Sequence, residues 1–180
     1  PYPNGFGVGK EGVEPELSEP IKLVDILHNS LGVNIIDITI GNPYFNPHVN
    51  RPYDGGGYIP DEHPLFGVNR MYYCVATIQK AFPKLAVIGS GVSYLRQFSP
   101  NLSAGAIENG YLTMQGFGRE AFAYPSFPRD IFDQGCMDAK KCCITCGKCT
   151  ELMRAGTVAG CVIRDGETYL PIYKEHCVKE

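Results

Sequence analysis

The strongest constraint in this 180-residue chain is the crowding of its cysteines. Five of the eight cysteines lie between Cys142 and Cys161, and three of these follow one another at intervals of three residues. Spacing this close is typical of metal-binding thiolates rather than of a disulfide scaffold. The pattern C-x2-C-x2-C-x11-C gives the candidate ligands Cys143, Cys146, Cys149 and Cys161.

Two metal centres suit this pattern. An iron–sulfur cubane takes four thiolates, and a close C-x2-C-x2-C run can occupy three of its corners. Gly147 lies inside the run and allows the tight backbone turn that such a loop needs. Zinc also accepts four cysteines, and Cys142 or Cys177 could replace one of them. Thiols without metal are a third alternative, of which Cys74 on an apolar helix face is an example. The pattern favours a [4Fe–4S] cluster over zinc.

Upstream of the cysteines, helical periodicity alternates with short apolar runs. Helical spacing predicts helices over residues 17–31 and 69–82, and a third helix-compatible segment over 94–109. Short apolar or β-branched runs predict strands over residues 33–40, 85–88 and 111–115. This alternation indicates parallel βα units and an α/β fold. Downstream of residue 124 the chain is expected to be irregular, with short helices over 139–142 and 150–155.

Glycine-rich turns follow the last two predicted strands. The first is Gly89-Ser90-Gly91, and the second is Gly116-Phe117-Gly118-Arg119. In (β/α)8 barrels, loops at these positions commonly bind phosphate through backbone amides, and an arginine adds a bidentate charge. Each motif alone is weak evidence, because a glycine after a strand is very often only a turn and the arginine can be solvated or salt-bridged. Together they predict a phosphate site formed by Gly89, Ser90, Gly91, Gly118 and Arg119.

The order of these motifs resembles the C-terminal half of the NADH:flavin oxidoreductase / old yellow enzyme family. It is most similar to the iron–sulfur branch that contains 2,4-dienoyl-CoA reductase and trimethylamine dehydrogenase. The stretch 119–125 (REAFAYP) resembles the family's GR-x5-P segment, and 142–149 (CCITCGKC) resembles its C-I-x-C-N-x-C cluster loop. Gly147 stands where many relatives have asparagine. The resemblance covers residues 3–161 and implies that the predicted phosphate site binds FMN.

The family resemblance implies a partial barrel. Residues 1–123 would form about strands six to eight of a TIM (β/α)8 barrel with its FMN-phosphate loops, and residues 124–180 a Cys-rich iron–sulfur extension. The strands expected to carry the flavin-ring contacts and the catalytic residues precede this sequence, so no catalytic residue is assigned. The isolated chain is expected to be inactive.

The implied activity is that of an NAD(P)H oxidoreductase. Its FMN would pass a hydride to an activated alkene of the enoate or dienoyl type, and the cluster would relay single electrons. The expected partners are a small-molecule substrate and either the N-terminal half of the barrel or a second redox domain; a homo-oligomer is also compatible with the sequence. Tyr44, His48 and Arg51 in a long loop could face substrate or simply solvent. The alternative function is a non-catalytic interaction module stabilised by zinc.

Bulk composition excludes other classes. A formal net charge of -3 provides no broad basic field, so neither nucleic acid nor an anionic membrane is an expected partner. The sequence contains no run of about eighteen apolar residues, and its first nine residues lack the features of a signal peptide. A cytoplasmic location is therefore expected.

Overall fold

The computed structural model describes residues 5–10 and 13–178, which form a mixed α/β fold with many helices and one small sheet. Residues 1–4 and 11–12 of the predicted partial barrel, and residues 179–180 of the predicted Cys-rich extension, lie outside the described residues. The strands are β1 (Ile35–Asp37), β2 (Ala86–Gly89) and β3 (Met114–Gln115). The helices are α1 (Ser18–Asp25), α2 (Pro47–Asn50), α3 (Pro64–Ala81), α4 (Ser99–Glu108), α5 (Arg119–Ala123), α6 (Phe127–Gln134), α7 (Lys148–Arg154) and α8 (Gly166–Cys177).

The sheet is parallel, with the strand order β1-β2-β3. Ile36 of β1 pairs with Val87 of β2, and Ile88 of β2 pairs with Met114 of β3. The chain therefore crosses from β1 to β2 and from β2 to β3 in the same direction along the sheet. Because connections between parallel strands are right-handed, the helices of both crossovers lie on the same face. The predicted parallel βα units are confirmed, although β1 and β3 are shorter than their apolar runs and β2 begins one residue later than predicted.

The main core lies between this sheet and its crossover helices. Met71, Val75 and Ile78 of α3 are buried against Val87 of β2. The core also includes residues from α1, α4 and the segment before β3, namely Val24, Ala106 and Leu112. The other face of the sheet carries Ile35, Ile88 and Met114. Ile35 is 54% exposed and Met114 is 39% exposed.

Helix α3 begins earlier than its periodicity predicts. Pro64 occupies the first helical position, where a missing N–H costs no hydrogen bond, and His63 Nδ1 accepts the N–H of Leu65 at 3.2 Å. Asn69, where the predicted helix begins, lies inside the helix instead. The helix ends at Ala81, close to the predicted end at residue 82. Across residues 5–10 and 13–178, no helix is both long enough and apolar enough to span a membrane.

The region after residue 124 is more regular than expected. Helix α7 confirms the predicted helix over 150–155, but the prediction of a helix over 139–142 is wrong. That segment is a turn in which Asp138 accepts the N–H of Lys141 with its carbonyl and that of Lys140 with its side chain. An aspartate that bonds the following amides favours a turn over a helix. Helices α6 and α8 were not predicted. The expectation that the chain is irregular after residue 124 is therefore wrong.

Candidate functional site

The two predicted phosphate loops lie side by side at the carboxyl end of the sheet. The N–H of Gly116 donates to the carbonyl of Gly89 at 2.7 Å. Gln115 Nε2 donates to the carbonyls of Gly89 and Gly116 at 2.9 and 2.8 Å, so one amide spans both loops. Ser90 Oγ donates to the carbonyl of Ile38 at 3.1 Å and joins the first loop to the end of β1. The structure therefore brings Gly89 and Ser90 next to the second loop.

Gly91 ends the first loop in a conformation that favours glycine. Its φ is +83°, and a Cβ at this position would lie 3.0 Å from Met71 Cε in the core. A side chain here would thus meet backbone strain and a close contact together. Gly91 immediately precedes the 3-10 helix Val92–Phe98.

Arg119 lies between the second phosphate loop and the cysteines. It is the first residue of α5 and follows Gly118. Burial lowers the pKa of Arg119, while the thiols of Cys143, Cys149 and Cys146 act in the opposite direction because their negative charge favours the guanidinium cation. The predicted phosphate-binding arginine therefore lies within electrostatic range of three of the predicted cluster ligands.

Neighbouring predicted ligands raise the pKa values of Cys143 and Cys149. Burial raises the pKa of the Cys143 thiol to about 11, and nearby Cys149 contributes in the same direction. The pKa of Cys149 is also raised, first by burial and then by Cys146 and Cys161. A fourth ligand that follows Cys149 after eleven residues can join the others only if the chain folds back. Cys161 lies near enough to Cys149 to raise its pKa. A cation or metal that stabilises thiolates would reverse these shifts.

The backbone around the ligands donates to two of the sulfurs. The N–H of Thr145 donates to Cys143 Sγ at 3.3 Å, and the N–H of Arg164 donates to Cys161 Sγ at 3.3 Å. The loop turns sharply between the first three cysteines, where Thr145 and Gly147 both have positive φ, of +56° and +80°. Amide donors directed at cysteine sulfurs are among the features that tune iron–sulfur clusters.

The donor set fits a [4Fe–4S] cluster chemically. It offers four thiols, two backbone amides directed at sulfur, and the cation of Arg119 to offset negative charge. In residues 5–10 and 13–178, no group of three or more His, Cys, Asp and Glu side chains is arranged to hold a metal ion. Zinc would draw its thiolates to about 2.3 Å from one ion, whereas a cubane gives each thiolate its own iron. The two metals therefore require different spacings of the same four thiols.

Two residues that the sequence did not identify hold the first ligand. Glu120 is 1% exposed, and its two carboxylate oxygens accept the N–H of Cys143 at 3.1 and 3.2 Å. Arg164 donates from Nε and Nη2 to the carbonyl of Cys142, at 3.1 and 2.8 Å. Burial raises the pKa of Glu120, and the Cys143 amide opposes this shift. Neither residue belongs to a spacing pattern that would reveal it in the sequence.

The long loop after β1 is attached to the cluster segment. Arg51 Nη1 donates to Thr150 Oγ1 at 2.5 Å, and Arg154 Nη2 donates to the carbonyl of Pro43 at 2.8 Å. The Arg154 guanidinium also lies 6.0 Å from the ring centroid of Tyr44. Arg51 and Tyr44, two of the loop residues that could face substrate, therefore contact helix α7, which carries Cys149.

His48, the third loop candidate, belongs to a chain of polar side chains. Its Nδ1 lies 2.6 Å from the hydroxyl of Tyr58, and its Nε2 lies 3.7 Å from Glu62 Oε1. Glu62 in turn pairs with Arg70 of α3, with 3.0 Å between Oε1 and Nη1. A histidine hydrogen-bonded to a phenol can hold or pass a proton. Tyr58 and Glu62 were not singled out, because their separations from His48 follow no helix or strand period.

The candidate site thus comprises two adjacent glycine loops at the carboxyl end of a parallel sheet, and Glu120, which follows the second loop, contacts the first of the four cysteines. Comparison of the chain with models of protein families, with curated proteins and with solved structures finds no match. The function of the chain is therefore inferred from contacts within the chain and from the resemblance of its glycine and cysteine motifs to those of a known family.

Proposed function

We propose that this chain binds a [4Fe–4S] cluster and the phosphate of FMN, as part of an NAD(P)H-dependent oxidoreductase of the old yellow enzyme type. The observation that carries the proposal is the contact between the two predicted sites. Arg119 and Glu120 open the helix after the second phosphate loop, and Glu120 accepts the backbone N–H of Cys143 at 3.1 Å. A flavin phosphate held by the glycine loops and a cluster held by the cysteine segment would therefore be neighbours.

The sheet supports the proposal of a barrel fragment. In a closed barrel, every crossover helix lies outside the sheet, and side chains from all strands fill the inside. The order β1-β2-β3 with both crossovers on one face is the arrangement that barrels use. The other face carries the exposed Ile35 and Met114, which further strands would cover. We therefore assign β1, β2 and β3 to about strands six to eight of a TIM barrel.

The residues of the chain have distinct tasks in this proposal. Backbone amides of Gly89, Gly91 and Gly118 and the Arg119 guanidinium would hold phosphate oxygens. Cys143, Cys146, Cys149 and Cys161 would each hold one iron. FMN supplies the hydride chemistry when bound, and the cluster supplies one-electron transfer. Thr145 and Arg164 donate backbone N–H groups to the sulfurs and Arg119 contributes positive charge, all of which favour added negative charge at the cluster.

The substrate would approach from the long loop. Parallel-barrel sites lie at the carboxyl ends of the strands, where this loop leaves β1. The proposed substrate is an activated alkene, and His48 and Tyr58 form a hydrogen-bonded pair on this side of the molecule. These two side chains can hold a proton near that end of the sheet. The proposal assigns the flavin-ring contacts to strands outside this sequence.

Metal analysis of the anaerobically purified chain tests the cluster assignment. We expect about four irons and about four acid-labile sulfides per chain, a brown colour with broad absorption near ~400 nm, and an electron paramagnetic resonance signal after reduction. One zinc per chain without iron would instead support the zinc-stabilised interaction module. A chain that binds neither metal after reconstitution with iron and sulfide would refute both readings.

Flavin titration of Arg119→Ala tests the phosphate site. A charge-assisted hydrogen bond contributes about 1.5–3 kcal/mol, so the variant should bind FMN about 10-fold to 150-fold more weakly than the unmodified chain. Arg129→Ala is the matched control, because Arg129 is exposed and lies in α6. Riboflavin, which lacks the phosphate, should bind both proteins equally. Equal FMN affinity in Arg119→Ala and the control would place the phosphate elsewhere.

A further inference from the structure

We infer that Glu120 and Arg164 are positioning residues that fix the first cluster ligand, Cys143, and connect it to the fourth, Cys161. This inference rests on the proposed function. The peptide between Cys142 and Cys143 is held on both sides: Glu120 accepts its N–H, and Arg164 donates twice to its carbonyl. A peptide plane held at both polar groups has little freedom to rotate, so the direction of the Cys143 side chain is set in advance.

The burial of this arrangement indicates more than a surface contact. Glu120 is 1% exposed, Cys142 is fully buried and Cys143 is 9% exposed. A buried carboxylate is costly unless hydrogen bonds and opposite charges compensate it. Here the compensation includes the amide of Cys143 and the positive charge of Arg164 and Arg119. The chain thus places a carboxyl group in its interior at the peptide that leads into the cysteine loop.

Arg164 connects the two ends of the ligand set. Its side chain reaches the carbonyl of Cys142, while its own backbone N–H donates to Cys161 Sγ at 3.3 Å. One residue therefore contacts the last ligand and the residue before the first. Packing of Leu152 and Val162 with Tyr173 also anchors the segment that leads to Cys161. Groups that orient metal ligands in this manner typically change metal affinity about 10-fold to 100-fold when mutated.

Three substitutions separate the parts of this arrangement. Glu120→Ala removes the acceptor of the Cys143 amide. Arg164→Lys retains a positive charge but cannot donate two parallel hydrogen bonds to one carbonyl. Glu120→Gln retains an acceptor oxygen of similar reach and removes the negative charge. Glu108→Gln and Arg129→Lys are matched controls, since both residues are exposed and lie outside the site.

The measurements are the half-life of the cluster under an iron chelator and its midpoint potential, both determined on the anaerobically loaded chain. Glu120→Ala and Arg164→Lys should shorten the half-life about 10-fold to 100-fold, with unchanged circular dichroism before loading. Glu120→Gln should keep its iron and shift the midpoint potential upwards, because loss of a nearby negative charge favours the reduced cluster. The controls should match the unmodified chain in both measurements.

The outcomes distinguish this inference from the proposed function. Unmodified chain that loads no cluster would overturn both. Loaded chain whose half-life is unchanged in Glu120→Ala and Arg164→Lys would overturn the inference alone. If Glu120→Ala does not fold, the Glu120→Gln potential and the Arg164→Lys half-life decide the matter, and unchanged values in both would overturn it.

Discussion

Alanine at Gly91 is expected to lower the free energy of unfolding more than alanine at Gly110. Gly91 and Gly110 both have positive φ, of +83° and +67°. An alanine in this region costs about 1–2 kcal/mol through its Cβ, so this cost is common to both positions. They differ in space: a Cβ on Gly91 would lie 3.0 Å from Met71 Cε, whereas a Cβ on Gly110 would have no neighbour within 4 Å.

The close contact adds a second cost at Gly91. Met71 is fully buried, so its terminal methyl group has little room to move, and overpacking of a core costs about 1–3 kcal/mol. Gly91→Ala should therefore lower the free energy of unfolding by about 2–5 kcal/mol, compared with about 1–2 kcal/mol for Gly110→Ala. Both values are accessible by urea titration of the reduced chain, followed by circular dichroism.

The two variants test the contact with Met71 and the backbone strain separately. Equal losses of stability at both positions would show that the contact with Met71 contributes nothing. An unchanged stability in Gly110→Ala would contradict the strain argument itself. Gly91→Ala should also weaken FMN binding, because Gly91 belongs to the first phosphate loop, while Gly110→Ala should leave the affinity unchanged.

Two further predictions follow from the cysteines and from an ion pair. Cys146→Ser should abolish cluster loading, because each iron of a cubane needs its own thiolate, whereas the exposed Cys136→Ser should load normally; full iron content in the first variant would refute the ligand assignment. Hydrogen bonding to Arg70 lowers the pKa of Glu62 below its ordinary value of 4.5, so the pair contributes stability above about pH 4.5 that is lost as the pH falls through the lower, folded-state pKa. Glu62→Gln should be less stable than the unmodified chain at pH 7, and the difference should shrink in acid; a constant difference in urea titrations between pH 7 and pH 3 would contradict this account.

The sequence predicted the elements whose pattern is local. Helical periodicity located the main part of α3, and the apolar runs located all three strands, because one face of each element must meet the same core. β1 and β3 proved shorter than predicted; of the first apolar run, only Ile35–Asp37 pairs with a neighbour. The start of α3 was misplaced because a cap at His63 followed by Pro64 is less distinctive than an asparagine. The helix predicted over 139–142 is a turn instead, because Asp138 accepts the amides that follow it.

The candidate site was predictable only where its residues are close in sequence. Repeated cysteines and glycines are recognisable by their spacing, and the structure places the two glycine loops side by side. Glu120 and Arg164 are different, because their importance lies in hydrogen bonds to backbone atoms far away along the chain. Backbone groups are the same at every position, so no residue pattern marks them as partners. The same reason applies to Arg51, whose partner Thr150 lies 99 residues away.

The two attachments between the long loop and α7 have a consequence for motion. Arg51 donates to Thr150, and Arg154 donates to the carbonyl of Pro43, so the loop cannot swing outwards without breaking both bonds or pulling the helix with it. Cys149 lies on that helix. With the proposed cluster bound, entry of the proposed substrate past the loop would also displace an iron ligand, and the lifetime of the cluster would depend on how often the loop opens.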